Sequence, residues 1–134
     1  MQKRFKKAIT SLDRIFDFTG EFTQKHKLPE SVVFSINFAI EEIFTNMVKY
    51  DRQTPHDILI VLEKTAHDVT ISLTDFEVDR FDVTTTEDVD TTQPVAERKV
   101  GGLGLHLVKR VVDDVIYEYK DKNSKITLIK CLEK

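Results

Sequence analysis

The chain has 134 residues, of which 40% are hydrophobic and 32% charged, so it is long enough for one globular domain with a real core. Its formal net charge of −3 argues against a protein held on nucleic acid by charge alone. The single cysteine, Cys131, excludes an intrachain disulfide and a cysteine-rich zinc site, and it suits a reducing compartment. No apolar stretch of signal-peptide or membrane-spanning length is visible, so we expect a cytoplasmic protein with no membrane partner.

The first half of the chain has helical periodicity. Apolar residues recur near helical spacing from Ile9 to Phe22, and a break with a possible N-cap follows at 28–31. Apolar residues then step by three and four from Val33 to Met47, which predicts a second helix over about 30–50. Residues 51–55 are predicted to form a loop.

The middle of the chain is predicted to be a hairpin followed by a lid. Two strands, 58–62 and 69–74, flank a short turn, and the second strand alternates apolar and polar residues. Residues 76–100 show no sustained period, and the stretch 75–97 carries eight acids against one base. A long segment without periodicity inside a compact domain is usually a lid or a binding loop.

The last third is predicted to be a short helix, over about 103–112, and two further strands at 115–119 and 126–131. A turn over 121–124 joins these strands. The whole order predicts a single α+β domain over 1–134. It would be a two-layer sandwich with a mixed, mostly antiparallel sheet and helices on one face.

Three sequence features could carry chemistry, and each has a plain structural alternative. Glu42 and Asn46 lie one helical turn apart, a pair suited to water and divalent-cation chemistry or simply an exposed polar flank of the apolar stripe. Asp75 ends a strand, where it could accept a hydrogen bond from an exocyclic amine or close a turn. The glycine-rich run 101–104 opens a helix, as in phosphate sites and in hinges.

Taken in this order, the three features resemble the GHKL ATPase superfamily, which includes histidine kinases and gyrase. The matching segments are EEIFTNMVKY (41–50), LTDFEVDRFD (73–82) and GGLGLHLVKRVVDDVIYEY (101–119). The resemblance covers about residues 8–133. It is strongest to the stand-alone branch, the anti-sigma factor serine/threonine kinases of bacterial partner-switching systems.

The resemblance implies a site for ATP and Mg²⁺. Glu42 would be the general base, Asn46 would ligate Mg²⁺, and Asp75 would bind the adenine amine. The phosphates would be held by the glycine-rich turn, with Arg98 pairing with phosphate or with a partner protein. The glycines in question are Gly101, Gly102 and Gly104.

The resemblance also implies a function in signal transduction and transcription regulation. The chain would phosphorylate an anti-anti-sigma-type antagonist protein and sequester a sigma factor or another target, without direct contact with nucleic acid. The resemblance also suggests a homodimer. One alternative is a degenerate pseudo-kinase that only binds proteins, because Glu77 stands where the family has a glycine beneath adenine. Another is a histidine-kinase catalytic fragment, against which we note that no acceptor-helix pattern accompanies the domain.

Overall fold

The computed structural model of the chain describes residues 1–50, 56–76 and 104–132. These residues form three α-helices and a five-stranded sheet, confirming the predicted α+β architecture. In chain order the elements are β1 (Gln2–Phe5), a 3-10 turn (Ile9–Ser11), α1 (Leu12–Lys25), α2 (Glu30–Tyr50), β2 (Ile58–Lys64), β3 (Asp68–Asp75), α3 (Gly104–Val111), β4 (Asp114–Lys120) and β5 (Asn123–Cys131).

The sheet has the order β1-β2-β3-β5-β4, and each of the strand pairs formed by the described residues is antiparallel. Alternation along β3 directs Val69, Ile71, Leu73 and Asp75 to the buried face. The register continues that face across neighbouring strands, since Leu73 lies between Ile60 and Ile126. The apolar core therefore forms between this face and the helices.

Helix α2 is the central helix of that core. Its inward stripe includes Ile36, Ile40 and Ile43, each fully buried, and it packs on β3, β5, α1 and α3. The sequence-based expectation of no stretch of membrane-spanning length needs correction here, because the window Glu30–Lys49 is long and apolar enough to cross a membrane by length and composition. Half of it is buried inside the fold, however, as in the core helix of a globular protein.

Helix α1 ends in a Schellman motif. Lys27 adopts a left-handed conformation with φ 51°, and its N–H bonds the carbonyl of Gln24. The N–H of Leu28 bonds the carbonyl of Thr23 at 3.0 Å. This end brings α2 back antiparallel to α1, and the Thr19 hydroxyl donates to Asn37 Oδ1 at 2.8 Å between the two helices.

Two details differ from the sequence predictions. Strand β1 was not predicted, because three of its four residues are exposed and its charged sequence has no alternating pattern. The turn between β4 and β5 is shorter than 121–124: Asp121 and Lys122 alone make it, with φ of 53° and 63°, the conformation of a type I′ hairpin turn. The predicted loop 51–55 and most of the lid lie outside the described residues.

Candidate functional site

The buried face of the sheet ends in a row that is partly polar. Ile58 pairs with Asp75, and Asp75 pairs on its other side with Ser124. Asp75 is 3% exposed and Ser124 is 7% exposed. Asp75 is the last residue of β3, as the sequence predicts, so its carboxylate lies at the point where the chain leaves the sheet.

The Asp75 carboxylate forms an ion pair with a lysine from the N-terminal segment. Lys7 Nζ lies 2.6 Å from Asp75 Oδ1, and the two side chains are each only 4% exposed. Burying two charges requires close pairing, because each loses its hydration. Asp75 is therefore an acceptor of N–H groups in this structure, which is the chemistry that the resemblance assigns to it, but the donor is a lysine of the chain itself.

The backbone holds Lys7 at this end of the sheet. Phe5 pairs with Ile58, the neighbour of Asp75, so the chain leaves β1 beside the polar row. The Lys6 carbonyl then accepts the N–H of Ala8 at 2.8 Å and the Ser11 hydroxyl at 2.8 Å. These bonds fix the turn that carries Lys7, so the ion pair rests on a defined segment.

Asn46 is buried near the C-terminal end of α2. It is 3% exposed, which is deeper than the polar flank that the sequence pattern predicts. Its Nδ2 atom is buried and, within the described residues, has no hydrogen-bond partner. A buried amide group without a partner costs about 1–3 kcal/mol of stability, so Asn46 is poorly explained as a packing residue.

Glu42 lies one helical turn before Asn46 and is half-buried. Its neighbour Glu41 is also half-buried. The fold thus brings Glu42 to the border of the core, where a carboxylate can reach both the interior and a bound molecule.

Asn46 and Asp75 are related along the chain through the connection from α2 to β2. Helix α2 has 21 residues, so it spans about 30 Å, and it packs on β3 and β5. The chain then enters β2 at Ile58, the direct sheet partner of Asp75. Asn46 is four residues from the end of α2, and Asp75 is the last residue of β3.

The predicted phosphate-binding turn is only partly within the described residues. Gly104 is the first residue of α3, so this glycine lies at a helix N-terminus, where free N–H groups favour anions. Arg98, Gly101, Gly102 and Glu77 lie outside the described residues.

The residues present fit a magnesium nucleotide by their chemistry. No three His, Cys, Asp or Glu side chains converge within residues 1–50, 56–76 and 104–132 to make a metal site of their own. Mg²⁺ bound with a nucleotide does not need one, because it takes most of its ligands from phosphates and water. The side-chain oxygen of Asn46 is the group that could supply one protein ligand, and its buried Nδ2 atom, which has no partner within the described residues, could donate to a phosphate oxygen.

Two residues of this end were not predicted from the sequence. Ser124 was assigned to a turn, although it is the strand partner of Asp75 on the buried face. Lys7 is one of four basic residues in the first seven, and Lys3, Arg4 and Lys6 are exposed. Only the register of β1 with β2 separates Lys7 from these surface charges.

Comparison with known proteins agrees with this fold. Residues 5–130 match the family model described as histidine kinase-like ATPase domain. The chain is also similar to a chain in the crystal structure of the SiaB–SiaC complex from Pseudomonas aeruginosa. That match has a TM-score of 0.65 and 14% sequence identity, and it covers 98% of this chain and 88% of that one. At this identity it shows a shared fold. A comparison with curated protein sequences finds no significant match.

Proposed function

We propose that this chain, which belongs to the histidine kinase-like ATPase family, binds ATP with Mg²⁺ and acts as a partner-switching regulator. One observation carries the proposal: an amide and a carboxylate are both buried, Asn46 four residues before the end of α2 and Asp75 at the end of β3. Buried polar groups reduce stability unless they are well paired, and the Asn46 amide nitrogen has no partner within the described residues. A ligand that offers an acceptor to this nitrogen accounts for the burial of Asn46, whereas Asp75 is buried as one half of its ion pair with Lys7.

The proposed roles follow from the chemistry of each side chain. Asp75 would accept a hydrogen bond from the exocyclic amine of adenine, and Ser124 lies beside it on the same face. Asn46 would give Mg²⁺ an amide oxygen. Nearer the surface of α2, Glu42 would accept the hydroxyl proton of a serine or threonine.

The phosphates would lie toward the start of α3, held by the glycine-rich turn and Arg98. ATP would supply the phosphoryl group, and the protein would contribute positioning and charge neutralisation. The acceptor would be an antagonist protein, so the proposed activity is that of a protein serine/threonine kinase.

The family and fold support the proposed partners. The similar structure is a complex of two proteins, SiaB and SiaC, and the match covers nearly all of this chain. By analogy, we propose that an antagonist protein binds here and receives the phosphoryl group, and that its unphosphorylated form competes for the chain with a sigma factor or another target. A cytoplasmic location and a homodimer belong to the same proposal.

A second candidate function is a protein-binding module that no longer uses nucleotide. The Lys7–Asp75 ion pair favours this alternative, because it already occupies the carboxylate that would bind adenine. The presence of Glu77 in place of a glycine points the same way. The two candidates differ in one measurable property, the binding of Mg–ATP.

The deciding experiment is a calorimetric titration of the purified chain with Mg–ATP, repeated with ATP in the presence of EDTA. We expect binding in the micromolar range or weaker, with affinity lost when Mg²⁺ is removed. Asn46→Ala should remove the Mg²⁺-dependent part of the affinity. If millimolar Mg–ATP produces neither heat nor thermal stabilisation, the nucleotide proposal is wrong and the binding-module alternative replaces it.

A further inference from the structure

The buried ion pair between Lys7 and Asp75 suggests how the proposed nucleotide site is controlled. A carboxylate that must receive a base from solution should be accessible when no base is bound. Asp75 is instead 3% exposed, and Lys7 Nζ lies 2.6 Å from its Oδ1 atom. The Asp75 carboxylate is thus already paired with a lysine of the same chain.

We propose that the Lys7 ammonium takes the position of the base amine at Asp75, so that a nucleotide must displace Lys7 in order to bind. This inference rests on the proposed function and adds a gate to it. The Lys7 ammonium and the exocyclic amine of adenine both present N–H donors to the Asp75 carboxylate. Both side chains are only 4% exposed, so a second, larger donor has little access to Asp75 while Lys7 remains in place.

The segment around Lys7 fits such a gate. Lys7 follows a four-residue strand, β1, which pairs with β2 alone among the described strands. The turn after it is tied by the Lys6 carbonyl, whose two contacts involve no atom of the Lys7 side chain. The long, flexible lysine side chain can therefore leave Asp75 while the backbone hydrogen bonds of the turn persist.

Displacement lowers the apparent affinity for nucleotide. When a binding-competent state is a fraction of the molecules, the measured dissociation constant rises by the inverse of that fraction. If the gate is open in about a tenth of molecules, removing Lys7 should tighten Mg–ATP binding about tenfold. A ligand that has phosphates but no base does not use the Asp75 carboxylate. Its affinity should therefore not depend on whether Lys7 is in place.

The test is a titration of wild type, Lys7→Met and Lys6→Met with Mg–ATP and with Mg–tripolyphosphate. Lys6 is the exposed neighbour, so its variant is a control for the loss of one positive charge. We expect Lys7→Met to bind Mg–ATP about tenfold more tightly, with tripolyphosphate binding unchanged and Lys6→Met behaving as wild type. Unchanged or weaker Mg–ATP binding by a folded Lys7→Met would overturn the gate and leave the proposed function standing.

A second measurement on the wild-type chain covers the case in which Lys7→Met fails to fold. Amine-specific labelling followed by mass spectrometry should show Lys7 protected and Lys6 reactive. Mg–ATP should raise the labelling rate of Lys7 severalfold, and Mg–tripolyphosphate should not. Labelling of Lys7 that stays constant or falls when Mg–ATP binds refutes displacement. If the wild-type chain binds neither ligand at millimolar concentration, the proposed function fails, and the gate fails with it.

Discussion

Two adjacent rows of the same sheet face contrast sharply in chemistry. The row Ile60–Leu73–Ile126 is apolar, with exposures of 0, 0 and 2%. The next core-facing row has Asp75 in the place of Leu73 and Ser124 in the place of Ile126. The two rows are equally buried and belong to the same strands, so neither exposure nor secondary structure explains the difference.

Stability alone would favour apolar side chains in both rows. Well-packed apolar side chains of similar volume are often as stable as a buried ion pair, or more stable. Helix α2 repeats the contrast, since Ile36, Ile40 and Ile43 are followed along the buried face by Asn46. Asp75 and Asn46 are thus two buried polar positions, one in the sheet and one in α2, whose burial stability alone does not favour.

The largest loss of stability is expected in the apolar row. Leu73→Ala should lower the free energy of unfolding by about 3–4 kcal/mol, because Leu73 is fully buried and its loss leaves a cavity. Denaturant unfolding monitored by circular dichroism measures the change. Mg–ATP affinity at low temperature should stay within about twofold of wild type. A much larger loss of affinity in the folded variant would extend the site into the apolar row.

Asp75→Asn should lower the free energy of unfolding somewhat less than Leu73→Ala does. Unlike Leu73→Ala, it should also change the affinity for Mg–ATP. The substitution leaves the Lys7 ammonium buried without its counter-charge, which should lower the free energy of unfolding by about 3 kcal/mol. Asp68→Asn is the matched control, because Asp68 begins the same strand and its Oδ1 accepts only the exposed Thr65 hydroxyl in the contacts described. Equal stability of the two variants in urea unfolding would mean that the ion pair contributes nothing.

The apolar row was predictable from sequence, and the polar row only in part. Alternation in β3 and the three-and-four spacing in α2 report which side chains face the core. The position of Asp75 at the end of a strand followed from the same pattern. The burial of Asn46 did not follow from the sequence, because an asparagine beside an apolar stripe is usually exposed.

Lys7 could not be singled out from the sequence for a different reason. Its burial depends on the pairing of Phe5 with Ile58, a contact between residues more than fifty positions apart. A basic N-terminal stretch predicts solvated charges, and three of its four bases are exposed. Ser124 was misassigned because the turn needs only two residues, both with positive φ and neither a glycine.

Replacing Asn46 should change stability less, and in the opposite direction. Asn46→Leu removes a buried amide whose nitrogen has no partner within the described residues, so the free energy of unfolding should rise by about 1 kcal/mol. The control is Asn37→Leu on the same helix, whose Oδ1 accepts the Thr19 hydroxyl, and it should lose about 1 kcal/mol. Mg–ATP binding should weaken only in Asn46→Leu. A loss of stability in both variants, measured by urea unfolding, would mean that Asn46 has a structural role.

The smallest change in stability is expected for Glu42, where the contrast between packing and chemistry is sharpest. Glu42→Gln keeps the shape of a half-buried side chain and should alter the free energy of unfolding by less than about 0.5 kcal/mol. If Glu42 is the general base, phosphoryl transfer from Mg–ATP to the antagonist protein should fall by about a hundredfold or more while Mg–ATP binding persists. Glu41→Gln is the matched control, since Glu41 is the adjacent, half-buried carboxylate on the same helix.

The measurement is transfer of labelled phosphate under single-turnover conditions, which separates the chemical step from nucleotide binding. Equal transfer rates in the two variants would remove Glu42 from the mechanism, because a carboxylate whose charge is dispensable cannot be accepting the proton.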